Sequence, residues 1–161
     1  MNDGEHWLTI ERTFNAPIDL VWAIWTEPKL FRHWYGPKGA SVPATEMDLV
    51  VGGTRSLTME MNTAQHSFSM HFTGTYKTIE APYHLAYTES MCDETGAVIS
   101  PQSMGMPADF PDTTEVIIDL SEASGKTLMK LVHVGVKEAM VGAEGWHQAF
   151  DKIDKVLASA D

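Results

Sequence analysis

Apolar and polar residues alternate along much of this chain, a pattern typical of strands that bury one face of a sheet. Between residues 6 and 14, Leu8 and Ile10 lie on one side of the predicted strand, and threonines and a glutamate lie on the other. Similar segments follow, separated by turn residues such as the pair Gly52-Gly53. The pattern therefore predicts an antiparallel sheet of six or seven strands. The predicted strands are 6–14, 42–51, 54–61, 66–80, 84–92, 113–122 and 126–134.

Three segments carry helical signals instead. Pro17 and Pro28 occupy positions where the first turn of a helix tolerates a missing N–H, which predicts two short helices. Near the end of the chain, apolar residues recur every three or four positions, which predicts an amphipathic helix from about Lys137 to Ala158. Gly142 and Gly145 within it indicate close contact with the sheet or room for a ligand, because glycine weakens a helix. The apolar stripe consists of Met140, Ala143, Trp146, Phe150, Ile153 and Leu157.

Three tryptophans, Trp22, Trp25 and Trp34, lie in or beside the two short helices. Apolar residues are too dense there for one solvated helix face, so both helices are predicted to plug a larger core. We interpret the tryptophans as structural residues that close the open end of the sheet.

Residues 93–112 show no regular pattern and contain many turn-forming residues. A stretch of this length without regular structure is uncommon inside a compact domain. Two interpretations stay open: a lid over a binding site, to which Met104 and Met106 contribute, or a segment that hides a further strand.

Length and charge narrow the classes of function. With 161 residues, the chain is predicted to form a single domain over residues 1–161. A net charge of -11 argues against a nucleic-acid partner. The sequence has no apolar run long enough for a membrane span and no signal-like N-terminus, which predicts a cytoplasmic protein. The single cysteine, Cys92, is interpreted as an ordinary strand residue.

Motifs for common chemistries do not occur in the sequence. The seven histidines have no zinc-site spacing, and the nucleophile elbow, phosphate loop and dinucleotide fingerprint are missing. We therefore predict no metal and no cofactor, and assign no catalytic residue.

Four segments resemble bacterial proteins named after the activator of heat-shock-protein-90 ATPase, within the START-like (SRPBCC) superfamily. They are RTFNAPIDLVWAIWTEPKLFRHWYGPKG, VVGGTRSLTMEM, FTGTYKTIEAPYHLAYTE and GAEGWHQAFDKI. The resemblance covers nearly the whole chain. It implies an α+β helix-grip fold, with a curved antiparallel sheet of six or seven strands, two short helices and a long C-terminal helix.

Members of that superfamily hold hydrophobic ligands between the curved sheet and the long helix. The resemblance therefore implies a largely apolar cavity at this place, although the same side chains would also suit a filled core. Predicted apolar lining residues are Leu57, Met59, Met70, Phe72, Met129, Leu131, Trp146 and Phe150. Polar residues that share the inward parity of their strands, and would orient a ligand, are Arg55, Tyr76, Tyr87, Glu89 and His133.

Three functions are carried forward. The first is binding of a small, largely hydrophobic molecule of unknown identity. The second is an enzyme of the polyketide cyclase or hydrolase kind, in which Arg55, Tyr87, Glu89 or His133 supplies acid or base catalysis. The third is an interaction protein that regulates a chaperone ATPase, as the family name suggests. Homodimerisation through a sheet edge or an apolar patch also stays open.

Overall fold

Seven strands and three helices make up the part of the chain that the computed structural model describes, residues 7–62, 67–108, 110–137 and 143–159. The elements in chain order are β1 (Trp7–Phe14), α1 (Ile18–Thr26), α2 (Pro28–Phe31), β2 (Ala40–Met47), β3 (Thr54–Asn62), β4 (Ser67–Glu80), β5 (His84–Cys92), β6 (Thr113–Ala123), β7 (Lys126–Lys137) and α3 (Ala143–Ser159). A short 3₁₀ turn, Pro101–Met104, lies between β5 and β6.

All seven strands join one antiparallel sheet in the order β1-β7-β6-β5-β4-β3-β2. Every neighbour in the sheet is also a neighbour in sequence, except that the first strand pairs with the last. The sheet is curved, and α3 packs against one side of it, which we name the inner face. The predicted α+β helix-grip fold is therefore confirmed.

Strand alternation separates the inner face from the solvent side, as the sequence pattern predicts. In β6, Val116, Ile118 and Leu120 are buried, while the residues between them are more exposed. In β7, Met129 and Leu131 continue the same buried layer. One face of the sheet therefore supplies most of the core, because side chains of a strand point alternately to opposite faces.

α1 begins directly after Pro17 and α2 begins at Pro28, and both helices contribute aromatic residues to the core. Trp25 and Trp34 are buried and meet edge to face, with ring centroids 4.7 Å apart. The indole N–H of Trp34 donates a 2.8 Å hydrogen bond to the carbonyl oxygen of Ile24, which fixes the turn after α2 against α1. Trp22 is only partly buried. Trp25 and Trp34 are thus packed in the core, whereas Trp22 lies at its edge.

The last helix does not include Lys137, the position at which the sequence pattern predicts its start. Lys137, the predicted first residue, is the final residue of β7. The described part of the helix begins at Ala143, and the predicted positions Met140 and Gly142 lie outside the described residues. The prediction was wrong here because an apolar strand end and an apolar helix start look alike over so short a stretch. The buried stripe consists of Trp146, Ala149, Phe150, Ile153 and Leu157.

The segment between β5 and β6 is largely irregular. Its one pairing in the described part is an isolated bridge between Cys92 and Val98. The 3₁₀ turn is capped by Ser100, whose side chain accepts a hydrogen bond from the Ser103 N–H. No strand runs through the described residues of 93–112, so the further strand is not found there, and the lid stays a prediction.

Gly74 is required by a close approach of two strands. A Cβ atom placed on it would lie 1.8 Å from the carbonyl oxygen of Thr88 in β5. The obstacle is backbone, so a side chain at this position forces β4 and β5 apart. This close approach explains why a glycine occupies the middle of a long strand.

We expect Gly74→Ala to lower the free energy of unfolding by at least about 2 kcal/mol, because the methyl group displaces a paired strand. Urea denaturation followed by circular dichroism measures the effect. Ser69→Ala, at an exposed position of the same strand, is the matched control and should change stability by less than about 0.5 kcal/mol. Equal stabilities of the two variants would contradict the close-approach explanation.

Candidate functional site

A cavity of about 420 Å³ lies between the inner face of the sheet, the first turns of α3 and the segment before β6. Its walls are mostly apolar and come from strands, helix and loops alike. The lining residues are Tyr35, Gly36, Pro37, Met59, Met61, Phe68, Met70, Phe72, Glu89, Met91, Met106, Phe110, Pro111, Asp112, Thr114, His133, Val136, Gly145, Trp146 and Ala149.

Methionine is the most frequent residue in this wall. Met59, Met61, Met70, Met91 and Met106 account for five of the ten methionines in the chain. Methionine side chains are flexible and polarizable, so they adapt to apolar molecules of irregular shape. The wall is therefore suited to ligands that differ in outline.

A buried ion pair between Arg55 and Glu89 adjoins the cavity. The Arg55 side chain is 2% exposed, and its Nη1 lies 3.3 Å from Oε2 of Glu89, which lines the cavity. The hydroxyl of Tyr35 donates to the same oxygen at 3.1 Å. Tyr35 Oη is also 3.1 Å from Tyr87 Oη, and Tyr87 donates in that pair because the Tyr35 proton is engaged by the carboxylate. Glu89 thus ends a directed chain of hydrogen bonds.

Aromatic rings surround the Arg55 guanidinium. Its Cζ lies 3.7 Å from the ring centroid of Tyr87 and 5.3 Å from that of Phe31, within cation–π range. Burial opposes the charge, but Tyr87, Tyr35 and Glu89 outweigh it, and the pKa of Arg55 lies above its ordinary value. Arg55 is therefore a permanent cation inside the core.

The tyrosines of this cluster stay neutral. Burial, reinforced by the carboxylate of Glu89, holds the pKa of Tyr35 well above its usual range. Burial likewise raises the pKa of Tyr87, although the charge of Arg55 acts in the opposite direction. Neither phenol is therefore a base at neutral pH.

A second chain of hydrogen bonds crosses the cavity wall at His133. The indole N–H of Trp146 donates to Nδ1 of His133 at 3.1 Å, so Nε2 carries the ring proton. Nε2 donates to the Thr114 hydroxyl at 3.0 Å, and that hydroxyl donates to the carbonyl oxygen of Glu89 at 3.4 Å. Burial lowers the pKa of His133 to about 4. This histidine is therefore neutral and ties α3 to β6 and β7.

The family model described as "Activator of Hsp90 ATPase homolog 1-like protein" matches residues 15–158. That range includes every element except β1 and the last residue of α3. The chain belongs to this family. None of the curated proteins matches the sequence.

Solved structures of other proteins share the family fold. A protein from Arthrobacter aurescens has 26% sequence identity and a TM-score of 0.75, over 98% of this chain and 90% of its own. A protein from Nitrosomonas europaea has 21% identity and the same TM-score, over 100% and 99% of the two chains. A third, from Silicibacter pomeroyi, is titled AHSA1, with 18% identity, a TM-score of 0.71 and coverage of 94% and 96%.

No helix in the described part of this family member has the length and apolar character needed to cross a membrane.

Cys92 is the buried last residue of β5, and burial raises the pKa of its thiol. Its place in a strand agrees with the sequence interpretation.

Six of the predicted site residues line the cavity: Met59, Met70, Phe72, Glu89, His133 and Trp146. The other seven are buried in the core and are not among the lining residues: Arg55, Leu57, Tyr76, Tyr87, Met129, Leu131 and Phe150. Strand alternation identifies the face on which a side chain lies but not its position along that face. In this family member the cavity occupies one part of the inner face, and packed core occupies the rest.

Several lining residues were missed by the sequence prediction. Met61 and Phe68 share parity with the predicted Met59 and Met70, so the alternation carried a signal for them. Tyr35 carried none, because it lies in the turn after α2 and reaches Glu89 only through the tertiary fold. In the segment between β5 and β6, Met106 lines the cavity, whereas Met104 is 43% exposed and is not among the lining residues.

Removing one partner of the buried ion pair should be costly. We expect Arg55→Met and Glu89→Gln each to lower the free energy of unfolding by about 3–5 kcal/mol, because each leaves a buried group without its partner. The double variant should lose clearly less than the sum of the two. Urea denaturation of all four proteins gives the coupling free energy.

An exposed ion pair of the same sheet is the control for this cycle. Lys77 Nζ lies 3.6 Å from Glu115 Oε1, and the Lys77 side chain is 53% exposed. Breaking it with Lys77→Met should cost less than about 1 kcal/mol. Additive losses for Arg55→Met and Glu89→Gln would show that the buried pair is not coupled.

His133 should make stability depend on pH. The unfolded chain takes up a proton near pH 6.5 and the folded protein only near pH 4, so stability falls as the pH drops through this window. The contribution lost is at most about 3 kcal/mol. Urea denaturation between pH 7 and pH 4 should show a shallower decline for His133→Gln. His147→Gln, at an exposed position of α3, is the control, and parallel profiles for His133→Gln and the wild type would refute this role.

Proposed function

We propose that this protein binds a small, largely hydrophobic molecule in the cavity between the curved sheet and α3. The observation that carries the proposal is the cavity itself. Its volume of about 420 Å³ falls within the roughly 300–1,000 Å³ of small-molecule sites, which combine apolar walls with few polar groups. A completely filled core, the competing interpretation of the same sequence, would leave no such space.

The distribution of small residues supports this function. Gly145 and Ala149 lie one turn apart on α3, and both line the cavity. A Cβ atom placed on Gly145 would meet only Pro37, at 3.8 Å, so open space lies beside this part of the helix. Farther along α3, Phe150 and Ile153 are completely buried. Open space therefore lies beside the first turns of α3, whereas the later part of the helix is fully packed.

An enzyme of the cyclase or hydrolase kind is the second candidate. The observation in its favour is that Arg55, Glu89 and Tyr35 converge within hydrogen-bond distance, as acid–base chemistry requires. Binding is favoured over catalysis because the Tyr35 hydroxyl and Oε2 of Glu89 are already engaged with each other. Arg55 is enclosed by aromatic rings, and both ring nitrogens of His133 have hydrogen-bond partners.

Three further predictions accompany the binding proposal. The cytoplasmic location is predicted from the sequence alone, and homodimerisation through a sheet edge or an apolar patch is an open alternative. Regulation of a chaperone ATPase rests on the family name. A pull-down with the cognate chaperone tests that regulation, and absence of binding would remove it.

Binding can be measured with the neutral fluorescent probe N-phenyl-1-naphthylamine. We expect saturable fluorescence enhancement with one probe per chain, because the apolar wall excludes water from the dye. Gly145→Leu places a side chain in the cavity beside the first turns of α3 and should weaken probe binding by about tenfold or more. Native mass spectrometry of protein from its own cytosol would then identify a co-purified ligand.

His147→Leu is the matched control for this experiment. It adds the same side chain to the same helix at an exposed position that does not line the cavity. It should bind the probe as the wild type does. Absence of saturable binding to the wild type, or equal weakening by both leucine variants, would refute the cavity as the binding site.

A further inference from the structure

The polar side chains of the cavity wall already donate their hydrogen bonds to other groups of the protein. Tyr35 donates to the carboxylate of Glu89, and His133 donates to Thr114. Thr114 in turn donates to a backbone carbonyl oxygen, and the Trp146 N–H is held by His133. Among the described side chains that line the cavity, the donors are therefore engaged with protein acceptors.

The groups of the wall that can still form hydrogen bonds with a ligand are acceptors. Both polar contacts of the Glu89 carboxylate use Oε2, and no described residue donates a hydrogen bond to Oε1. Asp112 adds a second carboxylate at an exposed position of the lining. The described lining contains no lysine or arginine, and the nearby Arg55 is paired with Glu89.

Aromatic rings add to this preference. Trp146, Tyr35, Phe72 and Phe110 line the same cavity. An ammonium group is attracted to such rings and to a carboxylate, whereas a carboxylate group would meet acceptors without a free side-chain donor. Ring and carboxylate thus favour the same kind of head group.

We propose that the cavity selects apolar molecules whose polar head donates hydrogen bonds, protonated amines above all, and rejects apolar carboxylates. This inference rests on the proposed binding function and specifies the class of ligand. It follows from the direction of the hydrogen bonds around Glu89 and Thr114 and from the charge of the lining.

One feature of the fold acts against this selection. The first turn of α3 reaches the cavity at Gly145, and the N-terminus of a helix carries a partial positive charge that favours anions. Glu144, in the same turn, places a carboxylate there and offsets that charge. The charge of Glu89 is balanced by Arg55, but its Oε1 stays open as an acceptor, and Asp112 adds a negative charge to the lining. Both features favour a cationic or neutral donor.

Three matched compounds test the proposal by displacing N-phenyl-1-naphthylamine from the wild-type protein at pH 7. They are 4-phenylbutylamine, 4-phenylbutanol and 4-phenylbutyrate, which share one apolar body and differ in the head group. We expect the amine to bind tightest, the alcohol next, and the carboxylate about tenfold or more weaker than the amine. Each compound is also titrated into Gly145→Leu, in which the compounds and the probe should both bind at least about tenfold more weakly.

Two variants connect the ranking to the named carboxylates. In Glu89→Gln the amine should lose at least about fivefold in affinity and the carboxylate should gain, because Arg55 is no longer neutralised. Asp112→Asn, at an exposed position that is safe for folding, should narrow the difference between amine and carboxylate by a smaller factor.

The outcomes separate the two proposals. Probe binding with the ranking amine, alcohol, carboxylate supports both. Probe binding with the carboxylate tightest, with equal affinities, or with no displacement by the amine overturns the selection and leaves the binding function standing. A ranking that neither Glu89→Gln nor Asp112→Asn alters overturns the assignment to these carboxylates. Absence of probe binding overturns the binding function itself.

Discussion

The packing of α3 across the inner face of the curved sheet is the contact on which the rest of this structure depends. A sheet with one apolar face must cover it, and the helix stripe that ends at Leu157 provides that cover. Phe150 meets Phe14 edge to face at 6.2 Å and closes this half of the interface. Near the start of α3, Gly145, Trp146 and Ala149 line the cavity, and Trp146 contacts His133 of β7. The cavity therefore lies beside the first turns of α3, and a fully packed interface lies farther along the helix.

The buried ion pair determines the character of the cavity wall. A cation in the core is tolerated only when it is paired and surrounded, and Arg55 has both a carboxylate and aromatic rings around it. The same arrangement uses the proton of Tyr35 and orients Glu89 at the edge of the cavity. The contacts that stabilise the charge of Arg55 therefore also leave Oε1 of Glu89 without a described protein donor.

The sequence predicted elements far better than it predicted the site. The strand His84–Cys92 was predicted with the bounds that the structure has, because alternation and flanking turn residues agree there. The start of α3 was wrong, since Lys137 continues β7. In the site, Arg55, Tyr87 and Glu89 share one parity signal, yet only Glu89 lines the cavity. Arg55 and Tyr87 are buried more completely than Glu89, a difference that depends on tertiary packing and that no local pattern contains.

By itself the sequence determined the order of strands and helices, the apolar face of each and the family to which the segments belong. These properties depend on local spacing, which repeats every two residues in a strand and every three or four in a helix. Only the tertiary structure decided that Tyr35 reaches Glu89 across 54 residues of sequence, and that the inner face is partly filled and partly hollow. The physical reason is that hydrogen-bond direction and empty volume belong to side chains of several elements at once.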